Sequence, residues 1–319
     1  MMFAARIFAA LADPTRLRVL ALLRAMELSV GEIAQVLGQS QPRVSRHVKI
    51  LAEAGLVERR KEGSWVFLSL GPRERIEPLF ALIERWDELD GGAGWTEADA
   101  ERLAAVRAER AAAAQHYFAA HADEWDHLRS LHVAEAEVEA GIARALAGDG
   151  RSIGRLVDVG TGTGRMIELF GRVADHALGI DRSPEMLRLA RVKLAEAGLE
   201  AELRQGDMYA LPLAAGTADT VILHQVLHFA QNPAAAVAEA ARLLAPSGRL
   251  LIADFAAHER EELRTLDAHI RLGFADEVML GYLEQAGLEA EVVEHLEGGE
   301  LTVTIWAGTR SEARLKVVA

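Results

Sequence analysis

Residues 157–166 read VDVGTGTGRM, an apolar strand that runs straight into a glycine-rich turn. Glycine at 160, 162 and 164 implies that backbone approaches a ligand closely, where a Cβ would collide, and that some of these positions need a positive φ. The spacing is G-x-G-x-G. A dinucleotide fingerprint would put its third glycine at 165, where this chain has Arg165. Asp158, just before the turn, suits a ligand carrying an ammonium group better than a pyrophosphate.

The same grammar extends outward. RLVDVG, HALGID, EAELRQGD, TADTVILHQ and GRLLIADF are short and apolar, and each leads into helical or loop sequence. Strand then helix, repeated, predicts a mostly parallel sheet covered on both faces. LEAEVVEHLEGGELTVTIWAG at 288–308 differs: two alternating runs around Gly298-Gly299 predict a hairpin that adds an antiparallel edge strand. Asp181 closes the second strand, where a carboxylate can accept both hydroxyls of a ribose. Asp207 in QGDM closes the third, placed to accept from an adenine amino group, and His224-Gln225 closes the fourth. These are carboxyl ends of strands, the edge where open α/β sheets bind ligands. Strand-terminal aspartates also cap the following helix, and that reading stays open for Asp181, which precedes Ser183-Pro184.

A chain of 319 residues, half of them hydrophobic, suits two domains that each bury a core. There is no cysteine, which excludes disulfides, thiolate metal sites and cysteine nucleophiles and points to the cytoplasm. No stretch approaches the roughly 18 uncharged apolar residues of a membrane helix. MMFAARIFAALADPTR lacks a basic region and cleavage site, so secretion is not expected. The net charge of −13 is unevenly spread: residues 1–90 hold 13 Lys/Arg against 12 Asp/Glu. Between 40 and 61 six basic residues face only Glu53 and Glu58, a local patch able to meet phosphate.

That patch belongs to an organised N-terminal module. Residues 6–26 read as helix, with Pro14 opening a second helix at its first turn. Ser29 and Glu32 form a capping box, Gly38 stops that helix, and the next runs from about Gln41 to Ala54 before Gly55. Val44, Val48 and Leu51 would face the core, leaving Gln41, Arg43, Ser45, Arg46 and Lys49 as a polar-basic face of the kind that enters a major groove. Arg43 or Arg46 could grip a guanine edge and Lys49 a phosphate. LVERRKEGSWVFLSL alternates around KEGS as a hairpin, whose Arg59-Arg60-Lys61 would lie along the DNA backbone as a wing. RERIEPLFALIERWDELD is an amphipathic helix, GGAG at 91–94 is the clearest break, and an Ala/Arg/Glu-rich helix from Thr96 to about Ala114 reads as a connector.

LADPTRLRVLALL, SVGEIAQVLGQSQPRVSRHVKILAEAGLV and the wing resemble ArsR-type winged-helix repressors over about 6–88. The resemblance implies a homodimer paired through terminal helices, with two recognition helices about one DNA turn apart on a double-stranded operator. Where metal-sensing members carry paired cysteines this chain has Glu27-Leu28-Ser29-Val30-Gly31, which excludes thiolate sensing at that site.

Residues 116–309 resemble class I S-adenosylmethionine-dependent methyltransferases, and HQVLHFAQNP and LLAPSGRLLIADF resemble the quinone-biosynthesis branch. The resemblance implies that Asp158, Gly160 and Gly162, with Gly164 completing the turn, hold the methionine part of S-adenosylmethionine or S-adenosylhomocysteine. Asp181 would take the ribose, Met186 would pack on adenine, and Asp207 with the Met208 backbone would read the adenine edge. QHYFAAHADEWDHLR at 115–129 would close over the cofactor, with Tyr117 and Trp125 lining the site or packing as helix residues. His224 and His228 could face a small-molecule acceptor, one as a base, or could be polar residues over the cofactor; no third ligand at telling spacing supports a metal pair. HEREELRTLDAHIRLGF at 258–274 is either acceptor-side or a solvated charged helix. Methyl transfer needs no signature base, so the sequence leaves turnover open. Missing cysteines count against an arsenite methyltransferase, and His224-Gln225-Val226-Leu227 stands where DNA methyltransferases carry an Asn/Asp-Pro-Pro-aromatic run.

The expected architecture is therefore two domains. Residues 1–90 form an α+β winged helix-turn-helix, 91–115 a glycine break and helical connector, and 116–310 an α/β Rossmann-like methyltransferase fold, before a tail at 311–319. Its sheet has seven mostly parallel strands and an antiparallel terminal hairpin. The expected function is a DNA-binding regulator controlled by a sulfur nucleoside, the alternative an active small-molecule methyltransferase.

Overall fold

The computed structural model describes residues 2–62, 65–89, 98–106, 108, 135–148, 150–199, 201–266, 268–297 and 300–311. The expectations placed on Gly63-Ser64, on 91–94, on Tyr117, Trp125 and the rest of 115–129, on Gly298-Gly299 and on 312–319 lie outside the described residues. The chain divides into two compact units, Met1–Ala112 and Ala113–Ala319.

In the first unit, α1 (Met2–Leu11) and α2 (Pro14–Ala25) are separate because Pro14 starts a new helix capped by Asp13, whose carboxylate accepts from the Thr15 and Arg16 N–H groups. α3 (Val30–Leu37) begins with the full capping box: the Ser29 N–H donates to Glu32 at 2.7 Å, and the Ser29 hydroxyl accepts from the Glu32 N–H at 3.3 Å. Gly38 closes it in the left-handed region, and α4 (Gln41–Glu53) follows. β2 (Val57–Glu62) and β3 (Trp65–Leu70) form the hairpin, and α5 (Arg73–Leu89) follows. A two-residue strand β1 (Leu28–Ser29) pairs with β3, giving the order β1-β3-β2. Too short to show a period in the sequence, it ties the start of α3 to the wing.

Helix 98–106 packs into the core of the first unit. Leu103 and Val106 are buried in the same core as Val19, Ile33, Val44 and Leu51. Asp99 is buried beside Arg18 of α2, and Arg102 donates to the Val36 carbonyl at the end of α3 at 3.1 Å.

The second unit is built on β4 (Arg155–Val159), β5 (His176–Asp181), β6 (Glu202–Gln205), β7 (Ala218–His224), β8 (Leu244–Phe255), β9 (Glu289–Leu296) and β10 (Val303–Thr309), in the order β6-β5-β4-β7-β8-β10-β9. β4 to β8 pair in parallel; β10 is antiparallel to both β8 and β9. The strand expected as an antiparallel edge is thus split in two roles. β10 inserts beside β8, where its apolar Val303, Ile305 and Trp306 are buried, while the charged β9 takes the edge and protects it from further pairing. Helix 135–147 covers one face of the sheet through Val138, Ile142 and Leu146; helices 233–242 and 276–285 cover the other through Ala236, Val237, Met279 and Leu283. The chain order reverses between β4 and β7, which leaves a crevice at their carboxyl ends.

Candidate functional site

The loop 160–164 sits at that crevice. The Gly160 and Thr161 N–H groups both donate to the Ile180 carbonyl, at 2.8 and 3.0 Å, which folds the loop back over β5. The three glycines lie at φ 73°, 52° and 87°, so the positive φ foreseen in the sequence is real. The close approach has a different cause at two of them. A Cβ on Gly160 would collide with the Val226 side chain, and one on Gly164 would meet Ala190 and Leu194 of helix 184–196 at 3.3 Å. Those two glycines admit protein neighbours.

The acids gather around this loop. Asp158 is buried under it and accepts from the Thr161 hydroxyl at 2.6 Å. Asp181 accepts from the Gly162 N–H and the Ser183 N–H, both at 2.8 Å, and so clasps the turn to the next strand. The helix-cap reading of Asp181 does not hold: Ser183 is the cap, its hydroxyl accepting from the Met186 N–H at 3.2 Å. Burial pushes the Asp181 carboxyl above its ordinary range, with the N–H groups of Ser183, Gly162 and Arg182 pulling the other way. Asp207 lies two residues beyond β6, exposed, accepting from the Tyr209 N–H at 3.0 Å. Met208 is half-buried against the core, and Met186 is buried in the first turn of its helix rather than presented to an open surface. Asp158, Gly162 and Asp181 are brought together by these bonds.

Gln225, which with His224 closes the fourth strand of the sequence pattern, has an unusual backbone and side chain. It adopts φ 48°, a left-handed conformation that costs a non-glycine residue about 1–2 kcal/mol. Its side chain is buried at the carboxyl edge, and its Oε1 has no hydrogen-bond partner. An orphaned buried acceptor beside a glycine loop, the buried Asp158 and the half-buried Asp181 fits an adenosyl amino acid, whose ammonium, hydroxyl and amino groups are all donors. No cue in the local sequence marks a residue held in strain.

The two histidines have different surroundings. His224 ends β7 and is buried there. His228, in the 3-10 turn Leu227–Phe229, donates from Nδ1 to Asp254 at 2.7 Å. Asp254, fully buried, also accepts from the N–H groups of Leu227, His228 and Phe255 at 2.8, 3.3 and 2.8 Å. The His228 ring packs against Phe229, Phe255 and His269 at 4.0, 4.9 and 4.3 Å between centroids, and is 3% exposed. Such a ring fastens the post-β7 loop to β8; it is not open to an acceptor in this conformation.

Segment 258–274 is not a continuous solvated helix. Among its described residues only 263–266 is helical, and the chain folds back so that the His228 carbonyl accepts from the N–H groups of Ile270 and Arg271. Arg271 is fully buried, donating to the Gln231 carbonyl at 3.1 Å. The Tyr209 hydroxyl accepts from the Gln231 and Asn232 N–H groups, so three loops meet over the carboxyl edge. Among the described residues no group of three or more His, Asp or Glu could hold a metal ion.

In the first unit, Val44, Val48 and Leu51 are buried as expected of α4, and Gln41, Arg43, Ser45, Arg46 and Lys49 are exposed on its other side. Arg59 and Lys61 are exposed on β2. Arg60 points to the opposite face, where it pairs with Glu27 at 2.8 Å.

A helix-turn-helix family model matches residues 11–60, and a methyltransferase-domain model matches 157–252. The arsenical resistance operon repressor of Escherichia coli is 46% identical over 82 residues, which is 25% of this chain and 70% of that protein. The ubiquinone/menaquinone biosynthesis C-methyltransferase of Syntrophotalea carbinolica is 32% identical over 194 residues, 52% of this chain and 79% of that protein. The chain belongs to the ArsR-type repressor family at its N-terminus and to the methyltransferase-domain family at its C-terminus. Its ArsR-type unit is a DNA-binding transcription-regulator domain, and the expected adenosyl cofactor accords with its methyltransferase domain. The methyltransferase solved with the Trm112 activator from Haloferax volcanii has the same fold, with a TM-score of 0.50 and 19% identity over 62% of this chain and 98% of that one. No described helix is long and apolar enough to cross a membrane.

Proposed function

We propose that this protein is a cytoplasmic, homodimeric transcriptional regulator whose methyltransferase-fold unit binds S-adenosylmethionine or S-adenosylhomocysteine and couples that binding to operator affinity. The observation that carries the reading is the seating of helix 98–106, the described helix of the first unit nearest in sequence to the second. It is locked into the DNA-binding core by Asp99 on Arg18 and reaches the helix-turn-helix through Arg102 on the Val36 carbonyl. A strain arriving along the chain therefore meets the reading head directly. A coupling of about 1–3 kcal/mol suffices for regulation.

Asp158, Gly162 and Gln225 would hold the amino-acid part, Asp181 the ribose and Asp207 the adenine edge. The bound molecule supplies a sulfonium methyl in one form and a neutral thioether in the other. The side chains at the carboxyl edge orient it and exclude water. Band-shift titration with each nucleoside tests the reading; one operator affinity across all three conditions would end it.

The similarity to a quinone C-methyltransferase favours a second reading, turnover on a small aromatic acceptor. His228 would then need Phe229, Phe255 and His269 to part before its ring could meet an acceptor. Incubation with labelled S-adenosylmethionine and a panel of quinone and phenolic acceptors decides it.

A further inference from the structure

We propose that Arg60 is a positioning residue of the wing, strapped to Glu27 across the sheet, and that it makes no contact with DNA phosphate. Its sequence neighbours suggest the opposite, since Arg59-Arg60-Lys61 reads as one basic run. Strand alternation separates them: Arg59 and Lys61 share one face of β2 and Arg60 takes the other.

On Arg60's face the register sets a row across all three strands. Arg60 stands opposite Phe67 of β3, and Phe67 stands opposite Ser29 of β1. Glu27 lies two residues before Ser29 and so on the same side. The Arg60 Nη2 donates to Glu27 Oε2 at 2.8 Å, so its side chain crosses the central strand, two spacings of roughly 4.8 Å, to reach the segment that starts α3. Phe67 beneath it is 2% exposed.

Charge favours the strap. The Glu27 side chain is 10% exposed and the Arg60 side chain 27%. A guanidinium that left for a phosphate would give up a 2.8 Å pairing with a largely buried carboxylate, where a lost charge partner costs more than at a solvated surface. The strap instead fixes the wing's outer strand relative to the capping box at Ser29 and Glu32, so that α3, α4 and the exposed Arg59 and Lys61 meet a duplex as one surface.

The test uses the full-length protein and a duplex selected in vitro against it, with affinity read by fluorescence anisotropy across about 50–250 mM salt. Glu27→Gln and Arg60→Gln should each weaken binding roughly fivefold, with no change in the slope of log affinity against log salt. The double variant should be no weaker than either single one. A phosphate contact at Arg60 gives another pattern: Arg60→Gln lowers the slope by about 0.9, and Glu27→Gln leaves binding unchanged or tightens it by releasing the arginine. Either of those outcomes overturns the proposal. Glu27→Gln preserves shape, so it decides the matter even if Arg60→Gln fails to fold.

Discussion

Arg18 closes two hydrogen bonds on Asp99, from Nε at 2.6 Å and Nη2 at 2.5 Å, although 81 residues separate them in the chain. The bond joins α2 of the winged helix to helix 98–106, and Asp99 is 1% exposed. A buried carboxylate held at two points is a fixed joint. Asp99→Asn should lower the unfolding free energy of the first unit by about 1–3 kcal/mol. Ligand-free DNA affinity should stay within roughly threefold while the response to nucleoside shrinks. Thermal melts beside paired titrations check both; an unchanged ligand response would detach this joint from regulation.

Gly160 and Val226 form a second pair, in which one residue exists to admit the other. Gly160→Ala adds a Cβ into Val226 at φ 73° and should cost more than about 2 kcal/mol. Gly160→Ala with Val226→Ala should be less destabilised than the sum of the singles, because the collision is relieved. Additive costs in denaturant melts would mean that the glycine serves only its backbone conformation.

Asp181 gives ligand binding a pH dependence of known sign. Its carboxyl titrates above its ordinary value of 3.8 in the free protein, first because it is buried. A folded pKa above the unfolded one means that this group's contribution to stability declines as pH rises from the ordinary carboxylate range through the raised value. Ribose hydroxyls donate to the ionised form, so nucleoside binding should release a proton in acid and affinity should fall as pH drops through the raised value. Calorimetry in buffers of different ionisation enthalpy reads that proton; its persistence in Asp181→Asn would assign it elsewhere.

Gln225 combines strain with an unpaired acceptor. Asn tolerates the left-handed region better, so Gln225→Asn should raise the stability of the free protein by up to about 1 kcal/mol. The shorter amide should weaken nucleoside binding by about 1–2 kcal/mol. A variant less stable yet binding at full strength would show that the strained glutamine serves the fold alone.

Local signals made much of this molecule legible from its sequence. Ser29, Glu32 and Gly38 mark α3 by side-chain chemistry within a few residues, and Val44, Val48 and Leu51 mark the buried side of α4 by period. The acids at 158 and 181 flank the glycine loop as their strand-end positions foretold. What was not legible depends on distant partners. Asp99 looks like a solvated helix charge until Arg18 buries it, and Arg271 belongs to a charged stretch yet is fully enclosed by chain that folds back through the His228 carbonyl. β1 is too short for a pattern, and the insertion of β10 between β8 and β9 is a matter of pairing that neither strand's own alternation encodes.

The measurement closest to the central claim is operator affinity of the full-length protein at saturating S-adenosylhomocysteine, at saturating S-adenosylmethionine and with neither, calorimetry on the same sample reporting occupancy. The account predicts a shift of at least roughly fivefold with one of the nucleosides, abolished by Asp181→Ala. Full occupancy with an unchanged operator affinity would contradict it.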